Sequence, residues 1–352
     1  MNTLSSQQFF QSVSARTQAR RSPEEVTFEL TYGCNLRCVH CYNPTHRVLP
    51  QELKTVEVLT LLDQLADFGV LSVTFTGGEP SIRPDIAEIL HHARLCGFII
   101  SLLTNATRVT PPFAILLKEV GVDQVNVSMY GATETIYELM TGVPGSYRQF
   151  QQGLGHLIAQ ALPVTVRMPV TTINRHELDA SRHLIASMGQ RFQYCLDIFP
   201  MVTGNLTPLQ YRLVPEQKIQ IGNELPVERN TVAPRPQCTS ADHFIECACG
   251  QNRFAITPYG EMNLCIAFPT PRYDLKTGTI REGWEVLKRT VDEARPNRQY
   301  ECTTCEVRSY CRQGRNDAWL ETGDMSVCLP HYQEWAKLEQ RTHALLDPRR
   351  PA

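Results

Sequence analysis

Apolar positions along the first half of the chain follow two alternating rhythms. Short β-branched runs at 26–30, 71–75, 98–103, 124–129, 163–168 and 192–198 have the composition of strands. Between them, near 55–68, 84–95, 112–120, 134–140, 147–160 and 176–189, apolar residues recur with the helical period. The first of these helices is expected to start at Thr55, to present Val56, Leu59, Leu62, Leu65 and Phe68 on one face, and to stop at Gly69. Strand and helix alternating on this scale predict an α/β fold, a parallel sheet wound with helices. About six such units fall short of the eight that close a full barrel, so the expectation is an open, TIM-like partial (β/α)6 barrel. Its chemistry then belongs at the C-terminal ends of the strands.

At the end of the first run stands Cys34-Asn-Leu-Arg-Cys38-Val-His-Cys41. Three thiolates can hold three irons of a cubane cluster and leave the fourth iron free of protein, whereas electron-carrying ferredoxin runs supply four cysteines. A zinc knuckle completed by His40 or His46 is the competing reading of these residues. The remaining composition favours a metalloprotein. Thirteen cysteines are many for 352 residues, and their odd count fits ligands plus a few packed thiols, among them Cys96 and Cys195, better than closed disulfides. Lys and Arg number 34 against 36 Asp and Glu, which leaves no electrostatic footprint for nucleic acid or an anionic membrane. No signal-peptide core is seen and no apolar run nears the roughly eighteen residues of a membrane span, so a cytoplasmic protein is expected.

The next strand ends carry polar words as well. They are Gly77-Gly78-Glu79-Pro80, Thr104-Asn105-Ala106, Ser128-Met129-Tyr130-Gly131, and Arg167, with Asp197 after the sixth strand. The cysteine loop, followed one helix and one strand later by Gly-Gly-Glu-Pro, resembles the signature of the radical S-adenosylmethionine (radical SAM) enzymes. That resemblance implies a [4Fe–4S] cluster on Cys34, Cys38 and Cys41 whose open iron chelates SAM. It implies that Gly77, Gly78 and Glu79 receive the SAM ammonium, and that Asn105, Ser128 and Arg167 contact the rest of the cofactor. Ala106 stands where the family has glycine, and Tyr130 where an aspartate is commoner, so that aspartate's role is not carried over.

Residues 201–237 lose the alternation and form a bridge, with a short helix near 215–223. Cysteines then return at Cys238, Cys247, Cys249, Cys265, Cys302, Cys305, Cys311 and Cys328, around an expected hairpin that turns at Tyr259-Gly260. This order and spacing resemble the SPASM extension of radical SAM enzymes, a small cysteine-rich α+β domain that holds auxiliary iron–sulfur clusters. The resemblance implies an outer cluster on Cys302, Cys305, Cys311 and Cys328, for which zinc is the structural alternative. The inner set, Cys249 and Cys265 with Cys247 or Cys238, lacks one ligand, because Arg315 occupies its position. The expected segmentation is an N-terminal arm at 1–24, the barrel at 25–200, the bridge at 201–237, the auxiliary domain at 238–340 and a tail at 341–352.

The resemblance runs from Val26 to Cys328. It implies that an electron from a flavodoxin- or ferredoxin-type donor cleaves SAM and that the 5′-deoxyadenosyl radical takes a hydrogen atom from substrate. The leading substrate is a ribosomally made precursor peptide or protein, crosslinked through a thioether or carbon–carbon bond or otherwise oxidised. The short N-terminus leaves leader recognition to a separate small protein. A haem- or cofactor-tailoring enzyme is the second reading. A sulfatase-maturase-like oxidase is weaker, because those enzymes carry aspartate after the hairpin cysteine and Cys265 is followed by Ile266. An iron–sulfur or zinc scaffold is the reading without catalysis.

Overall fold

The computed structural model describes residues 6–225 and 244–346. Strands β1 (Glu25–Thr31), β2 (Ser72–Gly77), β3 (Ile99–Thr104), β4 (Gln124–Ser128), β5 (Val164–Pro169) and β6 (Arg191–Cys195) pair in parallel, each with the next. Helices Thr55–Asp67, Ile86–Leu95, Pro111–Val120, the pair Glu134–Thr141 and Ser146–Ala159, and Leu178–Ser187 connect them. Local chemistry sets several of these boundaries. Thr110 accepts the Phe113 amide and Thr133 that of Ile136, each capping a helix start. Gly121 and Gly142 end those helices at φ 75° and 65°, a conformation that costs other residues about 1 kcal/mol.

Register divides the sheet into two faces. Phe28, Phe75, Leu102, Val125 and Val164 lie side by side in one row, buried in the core shared with the helices. The alternate row runs through Leu103, Asn126 and Thr165, and a third through Ser128, Arg167 and Gln193. The face turned away from the helices is therefore largely polar, as suits a surface that meets ligands rather than core. The helix at Thr55–Asp67 lies where its period predicts, but its buried face is Val58, Leu61, Leu62 and Leu65, and Val56 is 66% exposed.

The sheet does not end at β1. Strand β7 (Arg253–Ile256) pairs in parallel with β1, and β8 (Glu261–Asn263) and β9 (Tyr273–Asp274) follow antiparallel, giving the order β6-β5-β4-β3-β2-β1-β7-β8-β9. The expected hairpin is β7–β8, with Gly260 at φ 79° in its turn. It covers the edge that β1 would otherwise expose. Helix Ile280–Glu293 lays Trp284 against Phe254 beneath it. The N-terminal arm is a helix, Ser6–Arg20, braced against the same unit. Asn252 Nδ2 reaches Thr17 Oγ1 (3.1 Å) and Glu24 Oε2 (3.0 Å), Arg21 pairs with Asp292, and the Trp284 indole donates to Arg21 O.

The bridge helix, Pro215–Glu224, packs against the C-terminal helix Pro330–Leu346. Lys218 is buried there, over the Trp335 ring at 4.1 Å, and donates to Asp197 at 3.1 Å. Asp197, a candidate for the active face, is thus engaged with the bridge. Among the described residues no helix is long and apolar enough to cross a membrane.

Candidate active site

The loop carrying Cys34, Cys38 and Cys41 leaves β1 at the C-terminal edge of the parallel sheet and is gripped from the end of β2, from a helix end and by a residue of its own. From β2, the Gly78 amide donates to Thr31 O (2.6 Å) and the Glu79 amide to Gly33 O (2.9 Å). From the end of helix Glu134–Thr141, Thr141 O and Met140 O accept the amides of Arg37 (2.8 Å) and Val39 (3.0 Å). Asn43, fully buried, ties the far end back by donating to Tyr32 O (2.8 Å). The two glycines expected to approach a ligand approach the cysteine loop itself. A Cβ on Gly77, at φ 120°, would meet Thr31 O at 2.3 Å, and one on Gly78 would meet Gly33 O at 2.0 Å.

Glu79 is fully buried. Its Oε1 accepts from Ser81 N (3.1 Å), Ser81 Oγ (2.6 Å) and Thr104 Oγ1 (2.7 Å), and its Oε2 accepts from Asn105 N (2.7 Å). Burial raises its pKa, while these donors oppose the rise. The carboxylate thus fastens the β2 turn to the β3 turn and retains free capacity on Oε2. Asn105 both closes a turn and faces the cysteine loop. Its Oδ1 closes a turn on Thr107 N (2.9 Å), while its Nδ2 donates to Asn35 Oδ1 (3.1 Å) and points at Cys34 Sγ (3.9 Å). Ala106, in the family's glycine position, adopts φ 60°.

Ser128 and Arg167 are register partners on the polar face, at the ends of β4 and β5. Tyr130, which the sequence left without a role, is buried beside Cys38, with its ring 5.4 Å from that of His40. Hydrogen bonds to cluster sulfurs raise a cluster's reduction potential. With the cluster that the resemblance implies on this loop, the Tyr130 hydroxyl would be placed to donate to a cluster sulfur, and Tyr130→Phe is expected to lower its potential by about 20–60 mV, the one-electron equivalent of a ~0.5–1.4 kcal/mol hydrogen bond, as read by redox titration followed by electron paramagnetic resonance. Glu29 on β1 is a second group that sequence reasoning missed. It accepts from Tyr42 (2.9 Å) and Tyr32 (3.2 Å), and burial raises its pKa to about 7. Its position one strand residue from buried Phe28 and Leu30 gave the signal, a lone acid inside an apolar run.

The thiols fit a cluster better than a single ion. Burial raises all three, Cys34 to about 11 and Cys41 to about 12, so a metal must displace their protons. A zinc knuckle would gather them with His40 or His46 at ligand separations of about 3.8 Å. Among the described residues no such group comes within 4.8 Å. Burial also draws the His40 imidazole down to about 4, and its Nδ1 is buried without a partner.

Seven further cysteines converge on one cavity of about 730 Å³. Cys247, Cys249, Cys265, Cys302, Cys305, Cys311 and Cys328 all line it. Cys249 stands between Cys247 and Cys265, close enough for thiol hydrogen bonds, whereas Cys302, Cys305, Cys311 and Cys328 interact as a second group. Cys238 lies outside the described residues. Arg315 does not stand in for the missing inner ligand. Its guanidinium sits between Phe244 (5.5 Å) and Tyr300 (5.2 Å), donates to Met325 O, and turns Nη2 towards Cys302 Sγ at 3.9 Å, in the outer set. The two thiols expected to be packed lie elsewhere: Cys195 is exposed, and Cys96 is only partly buried beside Asp63.

A parallel βα sheet presenting three partly buried thiols beyond its first strand, with a thiol-lined chamber attached through the same strand, is the scaffold of an iron–sulfur enzyme. Residues 28–185 of the chain match the model of the radical SAM superfamily. Its cofactors are accordingly a [4Fe–4S] cluster and SAM. Among its relatives, the AdoMet-dependent heme synthase of Methanosarcina barkeri is 26% identical over 330 residues, spanning 86% of this chain and 94% of that one. The mycofactocin maturase MftC of Mycobacterium tuberculosis is 27% identical over 322 residues, spanning 86% of this chain and 80% of that one. In fold it resembles SuiB of Streptococcus suis. That enzyme bound to S-adenosylmethionine superposes with a TM-score of 0.70 at 16% identity, over 95% of this chain and 84% of that one. Bound to the precursor peptide SuiA, it gives 0.67 at 15% identity, over 93% and 81%.

Proposed function

We propose that this enzyme modifies a ribosomally made precursor peptide by radical chemistry, forming a thioether or carbon–carbon crosslink. The observation that carries the reading is the pairing of the loop of Cys34, Cys38 and Cys41 with the seven-cysteine chamber beyond β7. A cluster held by Cys34, Cys38 and Cys41 would pass one electron from a flavodoxin- or ferredoxin-type donor to SAM, and so supply the reductive cleavage to methionine and the abstraction of one substrate hydrogen atom. A crosslink requires one further electron and a proton to leave the substrate, and the chamber's thiols would hold iron suited to accept that electron while the proton passes to solvent. The loop thiols hold the cluster, Gly77 and Gly78 fix the loop, Glu79 receives the SAM ammonium through its free Oε2 capacity, and Asn105, Ser128 and Arg167 bound the cofactor. A relative named as a maturase that spans most of both chains supports the peptide substrate. A separate leader-binding protein delivers that peptide in the cytoplasm. Cys302, Cys305, Cys311 and Cys328 hold the outer cluster, and Cys247, Cys249 and Cys265, with Cys238 as the nearest further thiol in sequence, form the inner site.

The test is anaerobic reconstitution followed by SAM and dithionite. Expected are 5′-deoxyadenosine from the wild type, a fall to below about 1% of that rate in Cys34→Ala, and auxiliary iron retained in the variant. Zinc in place of iron with SAM intact would reduce the protein to a scaffold. The heme synthase relative, which matches over 94% of its own length, favours a second reading in which a porphyrin carboxylate is the substrate. A candidate precursor peptide that loses two hydrogen atoms by mass supports the first reading. Carbon dioxide released from an iron porphyrin, with peptides untouched, supports the second.

A further inference from the structure

Away from the active face, the structure gathers three different metal-ligating side chains on the outer wall of the barrel. His92 and Cys96 are four residues apart on the helix Ile86–Leu95 and its cap, so they share one face. Asp63 faces them from helix Thr55–Asp67. Its Oδ1 lies 2.7 Å from His92 Nε2 and 3.5 Å from Cys96 Sγ, and all three ligand atoms fall within 4.8 Å of one another. Among the described residues no other such group of at least three His, Cys, Asp or Glu side chains occurs. We propose that Asp63, His92 and Cys96 form a zinc site that clamps these two helices at the edge of the barrel opposite the cysteine loop.

The donor set decides the metal. One sulfur, one imidazole nitrogen and one carboxylate oxygen suit a borderline-soft ion of tetrahedral habit, not magnesium or calcium, which take oxygen. Tetrahedral zinc places its ligands about 3.3–3.8 Å apart, so only small side-chain movements are required. Asp67, one turn beyond Asp63, presents its charge to Cys96 and offers a fourth ligand, with water as the alternative in a partly exposed site. Without metal, burial and the two aspartates raise the Cys96 thiol to about 11. A dication reverses that balance, since zinc binding takes the thiol proton into solvent. A plain surface ion pair between Asp63 and His92 would have no use for the cysteine.

The test uses the holoprotein with every cluster loaded, so that the iron ligands are not free to take zinc. After incubation with zinc and anaerobic desalting, zinc and iron are counted per chain. Expected is one zinc in the wild type, lost in Cys96→Ala and His92→Ala at unchanged iron, with Asp63→Asn weakening retention at least about 10-fold. X-ray absorption at the zinc edge should show one sulfur near about 2.3 Å and lighter ligands near about 2.0–2.1 Å. Zinc should also raise the unfolding temperature of the wild type and not that of Cys96→Ala. No zinc on the wild type, or equal zinc on the variants at equal iron, would overturn the proposal. 5′-Deoxyadenosine formation in the variants should match the wild type, which separates this site from the reading of the active face.

Discussion

Gly78→Ala is expected to abolish SAM cleavage and to release the iron held by Cys34, Cys38 and Cys41. The added methyl would lie 2.0 Å from Gly33 O, 2.6 Å from Gly33 C and 2.8 Å from Tyr32 O. All three are backbone atoms, so no side chain can swing aside. Relief requires either the β2 turn or the residues just before Cys34 to move, and either movement breaks the bonds from Gly78 N to Thr31 O and from Glu79 N to Gly33 O. Overpacking of this kind costs about 1–3 kcal/mol, and two lost backbone bonds add about 1–3 kcal/mol more. The functional loss should exceed the stability loss, because the displaced element carries the first cluster ligand. Iron per chain should fall by about four while the auxiliary iron remains. Gly155→Ala is the control. That glycine is in helix Ser146–Ala159, a Cβ there meets nothing within 4 Å, and the change should stabilise the fold by up to about 1 kcal/mol without touching iron content. Chemical denaturation and an iron assay read both variants.

The contrast between these glycines shows what was legible in the chain. Periodicity located β1 to β6 and their helices, because β1 to β5 each bury one row against the helices, and in β6 the apolar Phe192 and Tyr194 alternate with exposed residues. It did not locate the face of helix Thr55–Asp67 correctly, since Val56 is apolar yet exposed, and a hydrophobic residue at a helix start fits either side of the stripe. The partnership of β7 with β1 left no trace in sequence, because parallel pairing between distant strands depends on the three-dimensional path and not on local pattern. Spacing exposed the Arg315 gap in the auxiliary cysteines but not the direction of its side chain, which Phe244 and Tyr300 fix between their rings. Tyr130 was set aside for departing from the family's aspartate, and the departure places a buried tyrosine beside Cys38 and His40. Asp63, His92 and Cys96 escaped notice because the i, i+4 pair and its partner lie on different helices.

Glu79→Ala is expected to cost about 3–5 kcal/mol and, at temperatures where the variant stays folded, to leave SAM binding too weak to measure. The stability term follows from the donors aimed at the carboxylate. Ser81 and Thr104 hydroxyls can rotate to other acceptors, but the amides of Ser81 and Asn105 are fixed, and each buried unpaired amide costs about 1–3 kcal/mol. Glu79→Gln separates packing from charge. It preserves volume and one acceptor oxygen, yet sets an NH2 group against one set of donors, so a loss of about 1–3 kcal/mol is expected. Both variants free the Asn105 turn, whose Nδ2 reaches Asn35 and Cys34, so the cluster loop should loosen on its β3 side as well. Burial gives the pH dependence its sign. Because it raises the carboxyl pKa, Glu79 takes up a proton on acidification earlier than a solvated glutamate, and the protonated form no longer attracts an ammonium. SAM affinity of the wild type should therefore fall as pH drops through that raised pKa, and the fall should be absent from whatever affinity Glu79→Gln retains. Anaerobic calorimetric titration of SAM across pH, set beside thermal unfolding of the same samples, distinguishes an electrostatic role from a purely structural one. A structural role predicts that Glu79→Gln binds SAM normally once folded.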